Sequence, residues 1–244
     1  MDILLTLAFL FFIGSVVGWV LELFYRHFTD PERKWINPGF CVGPWLPIYG
    51  FGLCALYLIA SMETWNMVES TLGNKIWLFV CMAVAMTAIE YVAGLVCLKV
   101  FHVRLWDYSN LWGNIQGIIC PLFSFFWALL GGAYYFLIHA HILDALNWLA
   151  NNLAFSFFIG MFFGVFFIDV AYSSRIITKI KQFAQENDVI VFYEALKDQI
   201  HNNIGKNHRK FLHFLFPFRS QRPLSEHVKD LRQSLEELRR AGRK

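Results

Sequence analysis

The residues best equipped for chemistry lie in one short stretch, residues 101–110, "FHVRLWDYSN". His102, Arg104, Asp107, Tyr108 and Ser109 set an imidazole, a guanidinium, a carboxyl and two hydroxyls among aromatic residues. Such groups can move protons, pair charges or hold an anion. His102 and Asp107 stand five apart, which is not the spacing of one helix face, so only a loop would bring them together. The chain has no H-E-x-x-H, no C-x-x-C and no zinc spacing. Neither a metal nor a cofactor is therefore expected.

Three carboxylates, Glu22, Glu90 and Asp169, sit inside strongly apolar runs. Each costs about 2.5–3.5 kcal/mol in a membrane and calls for a partner. Glu22 lies about one turn from the end of its run, with Arg26 four residues on along the same face. Asp169 also lies about one turn from an end and can snorkel to the interface. Glu90 is deeper, some 14 Å of helix from the nearest end. It must be neutralised or paired, and Arg104 is the candidate partner. All three carboxylates are expected to line one cavity open to the cytoplasm.

The elements that would position these groups are apolar runs of about 20 residues, long enough to span a bilayer as helices. Five occur, at 3–25, 43–62, 75–99, 117–138 and 152–173. The chain is 57% hydrophobic and only 16% charged, with a mean hydropathy of +0.46. Soluble domains are nearer 25% charged. The expected fold is all-α: a polytopic integral membrane domain of five transmembrane helices over 1–174, then a basic cytoplasmic helical tail over 175–244. Fifteen of the 21 Lys and Arg follow residue 174, against eight acids there. The 26–40 and 99–116 connections carry Arg26, Arg33, Lys34, Lys99 and Arg104, whereas 63–74 and 139–151 have no Lys or Arg. The positive-inside rule then places the N-terminus outside and the tail inside a multi-pass plasma-membrane protein. The N-terminal apolar run is too long, and its start too poor in basic residues, for a cleaved signal peptide.

Other features read more plainly. Cys41, Cys54, Cys81, Cys97 and Cys120 are small buried hydrophobes. The pairs Gly14/Gly18 and Gly160/Gly164 suit close helix packing within the chain. The tail is expected to continue the last span helically over 174–204. After Pro223 a second helix is expected, capped by Ser225, with Val228, Leu231, Leu235 and Leu238 in one apolar stripe.

A parallel pseudo-repeat of two hairpins is also legible: a carboxylate, a loop with Asn and Gly, then a Pro. Glu22, Asn37 and Pro44 answer to Glu90, Asn114 and Pro121. The Asn37 and Asn114 amides and the N–H groups at two helix starts are expected to surround Glu22 and Glu90. With Arg26, His102 and Arg104 nearby, this vestibule suits a phosphate or carboxylate. Trp106, Tyr108 and Trp112 would serve as interfacial anchors or a stacking surface.

"GWVLE" (18–22), "NPGFCVGPWLPIYGFG" (37–52), "HVRLWDYS" (102–109) and "NIQGIIC" (114–120) together resemble the family called putative ABC-transporter type IV, or CmpB-like permeases. The resemblance covers about residues 10–135. Its matching polar positions are Glu22, Asn37, Tyr49, Glu90, His102, Arg104, Trp106, Asp107, Tyr108, Ser109 and Asn114. Pro38, Cys41 and Leu105 depart from the family pattern. Pro38 stands where an arginine is usual, so no anion contact carries over there. The resemblance implies the membrane subunit of a transporter. The chain has no G-x-x-x-x-G-K-[ST] loop, so an ATPase would be a separate subunit.

The expected function is therefore permease-like, in a lipid bilayer. Its partners would be an ATPase or other cytoplasmic protein docked through the tail, and an anionic small molecule or lipid head group. Two alternatives stay open. One is a membrane enzyme acting on a lipid or isoprenoid head group through His102, Asp107, Glu22 and Glu90. The other is a structural or regulatory membrane protein working through its tail. Nucleic acid is not an expected partner, because the tail's basic residues are interspersed with acids.

Overall fold

The computed structural model describes residues 2–29, 33, 35–65, 67, 70–186, 190–193, 196 and 197. Six α-helices dominate them: α1 (Ile3–Thr29), α2 (Pro47–Ser61), α3 (Thr71–Phe101), α4 (Pro121–Ala133), α5 (His139–Asn151) and α6 (Ser156–Glu186). Val103–Arg104 (β1) and Val191–Phe192 (β2) form a short parallel pair, with Val103 opposite Val191. The helices begin and end where local chemistry dictates. Both α2 and α4 carry proline in the first turn after an extended residue, Leu46 and Cys120 respectively. Proline there removes no needed donor. The Ser70 hydroxyl caps α3 by accepting from Gly73 N. At the other end His102 turns left-handed (φ 55°) and returns its N–H to Cys97 O.

Among the described residues, four helical stretches are long and apolar enough to cross a membrane: Ile3–Thr29, Thr71–Phe101, Pro121–Asn151 and Leu153–Gln182. The expected span 43–62 is not among them, because its helix has only 15 residues. Residues 35–46 are irregular instead, and Pro44 lies three residues ahead of the helix start at Pro47. The expected connection 139–151 is also different: α4 runs through a π-helical turn, Tyr134–Ile138, straight into α5. The helix α6 passes 174/175 without a break. The helix expected after Pro223 lies outside the described residues.

From α1 to α4 each helix packs antiparallel on the next. Gly18 lies on Tyr49, Gly14 on Gly50 and Leu53, and the Cys54 thiol reaches Leu7 O. A Cβ on Gly18 would come within 2.2 Å of Tyr49, so close approach of α1 and α2 requires glycine. Farther along, Gly52 meets Met86 of α3, and Gly131 of α4 meets Met82 and Leu56. Leu10, Leu56, Met82, Met86, Tyr134 and Leu149 fill the space between. By contrast Gly160 and Gly164 have nothing within 4 Å. Large apolar side chains point outward, among them Leu4, Phe157 and Ile168 at 72%, 71% and 72% exposed. An apolar exterior around backbone bonded within its own helices is the arrangement hydrocarbon demands. All five cysteines are free thiols.

A second, smaller core closes the end of the bundle where α1 and α3 finish. Val103, Ile177, Ile180, Ala184, Val191, Tyr193 and Leu196 form it.

Candidate functional site at the Glu22–Glu90 centre

Glu22 of α1 and Glu90 of α3 come to one place. Tyr49 of α2 donates its hydroxyl to Glu22 Oε2 at 3.0 Å, and Tyr108 donates to Glu90 Oε1 at 3.0 Å. Tyr49 lies within electrostatic reach of Glu22, Arg26 and Glu90, and Tyr108 within reach of both acids. Arg26 Nε bonds Glu22 Oε1 at 2.8 Å, the i,i+4 pair the sequence offers. Glu90 is 3% exposed. Its Oε2 accepts no hydrogen bond of ordinary geometry, although the Trp127 indole of α4 faces the carboxyl. The Trp127 and Tyr49 rings sit 5.4 Å apart.

Asp169 does not join this pair. Val42 N (3.0 Å), Gly43 N (2.8 Å), Trp45 Nε1 (2.8 Å) and Ser173 Oγ (3.0 Å) all donate to it. The anion beside these N–H groups is thus the chain's own side chain. A carboxylate holding two adjacent backbone donors lets irregular backbone lie buried within a helical bundle. Asn37 is equally committed. Trp19 Nε1 donates to its Oδ1 at 2.6 Å, and its Nδ2 donates to Cys41 O and Val42 O. Among the described residues the expected ring of Asn37, Asn114 and N–H groups around the acids does not form, because both amides hold loop carbonyls and the Val42 and Gly43 N–H groups hold Asp169. Burial pushes the Cys41 thiol up to about 12, with the Asp169 carboxylate adding to it.

The 102–120 connection is a folded cap. Arg104 pairs with Asp107 at 2.6 Å and donates to Ser109 Oγ at 3.1 Å, rather than reaching Glu90. Tyr108 takes the place expected for Arg104. Partial burial acts against the Asp107 charge, but hydrogen bonds from Ser109 and from Arg104 hold its carboxyl below the usual carboxylate range. Gly117 (φ 67°) lies against this cluster, and a Cβ there would meet Arg104 Nη1 at 2.2 Å. Asn114 donates to Ser109 O and Leu111 O and accepts from Gly117 N. Trp106 Nε1 holds Ile118 O at 2.8 Å, and the Tyr108 ring stacks on Phe123 at 4.3 Å. Of the four groups weighed for an enzyme, the His102 backbone ends α3 and the Asp107 carboxyl holds Arg104. Trp112 stands outward at 87% exposed.

Sequence reasoning missed Trp19, Trp45, Trp127 and Lys197. Lys197 is 2% exposed, with Nζ donating to Asn37 O at 2.9 Å and to Gly39 O. Tyr193 donates to Phe40 O nearby. The three tryptophans carried a signal, since indole N–H is a donor that burial obliges to find an acceptor. Lys197 carried none, because a lone lysine in a polar tail reads as solvated.

Apolar helices of membrane-crossing length around a buried polar centre define a helical membrane protein of transporter-like type. The family model described as Putative ABC-transporter type IV (ABC_trans_CmpB) matches residues 9–174, and the chain belongs to that family. The match takes in α4, α5 and Asp169, and leaves residues 175–244 outside. No curated protein and no solved structure matches the chain.

Proposed function

We propose that the chain is the membrane subunit of a transporter, and that Glu22, Tyr49, Glu90 and Tyr108 form the polar centre its cargo passes. The observation that carries this reading is the meeting of two carboxylates from different helices, each held by a tyrosine from another element. Buried acids inside apolar helices mark ion and substrate paths. In this reading the first 174 residues form the membrane domain and 175–244 the cytoplasmic tail. Helix α2 and the 3-10 turn after it (Met62–Trp65) together reach about 30 Å, which supports a fifth crossing. With five crossings all basic connections fall on the cytoplasmic side of the plasma membrane and the N-terminus lies outside. The centre then opens to the cytoplasm beneath the 102–120 cap. Energy would come from a separate ATPase docked on the cytoplasmic face, since the chain has no phosphate-binding loop of its own.

Replacing Glu90 by Gln keeps size and an acceptor for Tyr108 but removes the charge. A deletion strain complemented with Glu90→Gln should retain the protein in its membrane and lose the solute uptake that the wild-type gene restores. Uptake at the wild-type rate would reduce Glu90 to buried filler and sink the reading.

A further inference from the structure

Among the described residues, no cation pairs with the Glu90 carboxyl of the proposed translocation centre. Among the described residues, Glu90 faces Glu22 from α1, Tyr49 from α2, Tyr108 from the connection and Trp127 from α4; Arg26 lies beside Glu22 and Tyr49, and Cys120 beside Tyr108. Glu22 and Arg26 offset each other at 2.8 Å. Glu90 is left with a phenol and an indole, both neutral. One of its oxygens is buried with no hydrogen bond of ordinary geometry, and a half-satisfied buried carboxyl is unfavourable unless a positive charge reaches it. Two basic side chains among the described residues that could have made this an anion site are turned elsewhere. Arg104 is bonded to Asp107 and Ser109 and lies over the Phe192 ring, and Lys197 holds backbone carbonyls.

We propose that the centre takes up one positive charge at the Glu90 carboxyl, either as a proton or as the head of a small ammonium ion, and does not take an anion. This rests on the reading of the centre as the translocation site and names its substrate class. Both tyrosine hydroxyls donate to the carboxyls and so leave the free Glu90 oxygen as an acceptor. In the proton case one O–H bond forms on that oxygen, and the proton comes from hydronium, leaving water. In the ammonium case an N–H donor or a methyl-bearing cation lies against the carboxylate, beside the Tyr49 and Trp127 rings, which sit 5.4 Å apart.

The test uses the purified full-length chain in lipid nanodiscs. Infrared spectra of the wild type and of Glu90→Gln are compared at pH 7, alone and with methylammonium chloride, tetramethylammonium chloride or sodium phosphate. Two results support the proposal and separate the sources. A protonated acid carbonyl that is lost in Glu90→Gln identifies the proton. An ionised carboxylate whose band shifts with an ammonium ion, and stays still in phosphate, identifies the organic cation. An ionised Glu90 that no ammonium ion moves, or that phosphate moves, overturns it, as does identity of the two proteins' spectra. Tyr108→Phe keeps the acid and removes its donor, so it should shift the Glu90 band if Glu90→Gln fails to fold; an unmoved band also overturns the proposal. Transport is read separately. An intact Glu90 signal with uptake indifferent to Glu90→Gln would remove the translocation reading and leave the charge assignment standing.

Discussion

Asp107 and Glu90 are both carboxylates at the second hairpin, and their surroundings separate them. Asp107 lies at the surface with a guanidinium and two donors from Ser109. Its depressed titration stabilises the cap above the ordinary aspartate value, about 3.9. That contribution is lost as pH falls through the still lower folded value. Lowering pH from 5 to 3 should therefore loosen residues 102–120, read as faster protease cutting there, and Asp107→Asn should cut equally fast at both values. Gly117→Ala should lower the thermal midpoint in detergent, since a left-handed residue with a β-carbon costs about 1–3 kcal/mol and this one also strikes Arg104. An unchanged midpoint would mean that the cap can shift. The candidate residues were legible because polar side chains in an apolar chain are conspicuous. Their pairings were not: Arg104 could reach either Asp107 or Glu90 by spacing alone, and the left-handed turns at His102 and Gly117 decide between them.

Glycine spacing shows the same contrast at the scale of elements. Gly14/Gly18 and Gly160/Gly164 have the same period, yet one pair is a helix contact and the other faces open space. Gly18→Ala should destabilise by about 1–3 kcal/mol through overpacking against Tyr49, whereas Gly164→Ala should leave the melting midpoint within about 0.5 kcal/mol of wild type. Equal effects would place the α1–α2 contact elsewhere. Helix existence was legible, because uninterrupted runs of Phe, Leu, Ile and Val permit little else in a bilayer. Two boundaries were not. The stretch 139–151 holds His139, His141, Asp144 and two asparagines and reads as a connection, but a π turn carries the helix into it. The expected span 43–62 starts too early, because residues 35–46 are irregular, with backbone held by Asp169 of α6 and by Asn37 of the same stretch.

For the whole molecule, residues far apart in sequence close on each other. Tyr193 and Lys197 meet the 37–41 segment, and β2 pairs with β1 after α3. Lys197→Met keeps most of the stem and removes the donor to two buried carbonyls. It should raise protease access to residues 35–46 several-fold, because each orphaned buried acceptor costs about 1–3 kcal/mol. Access at the wild-type rate would show that the apolar cluster alone holds the segment. This closure was invisible in the chain's periodicity, since it joins an irregular segment to a lysine about 160 residues away.

Lys197 also places the tail and the polar centre in mechanical series. Traction on the chain beyond residue 197 passes through its ammonium to the carbonyls of Asn37 and Gly39. From there it passes along ten residues of irregular backbone to Pro47, where α2 begins and where Tyr49 stands against Glu22. A protein that grips the tail thus holds a lever whose short arm ends on a tyrosine hydroxyl at the acid pair.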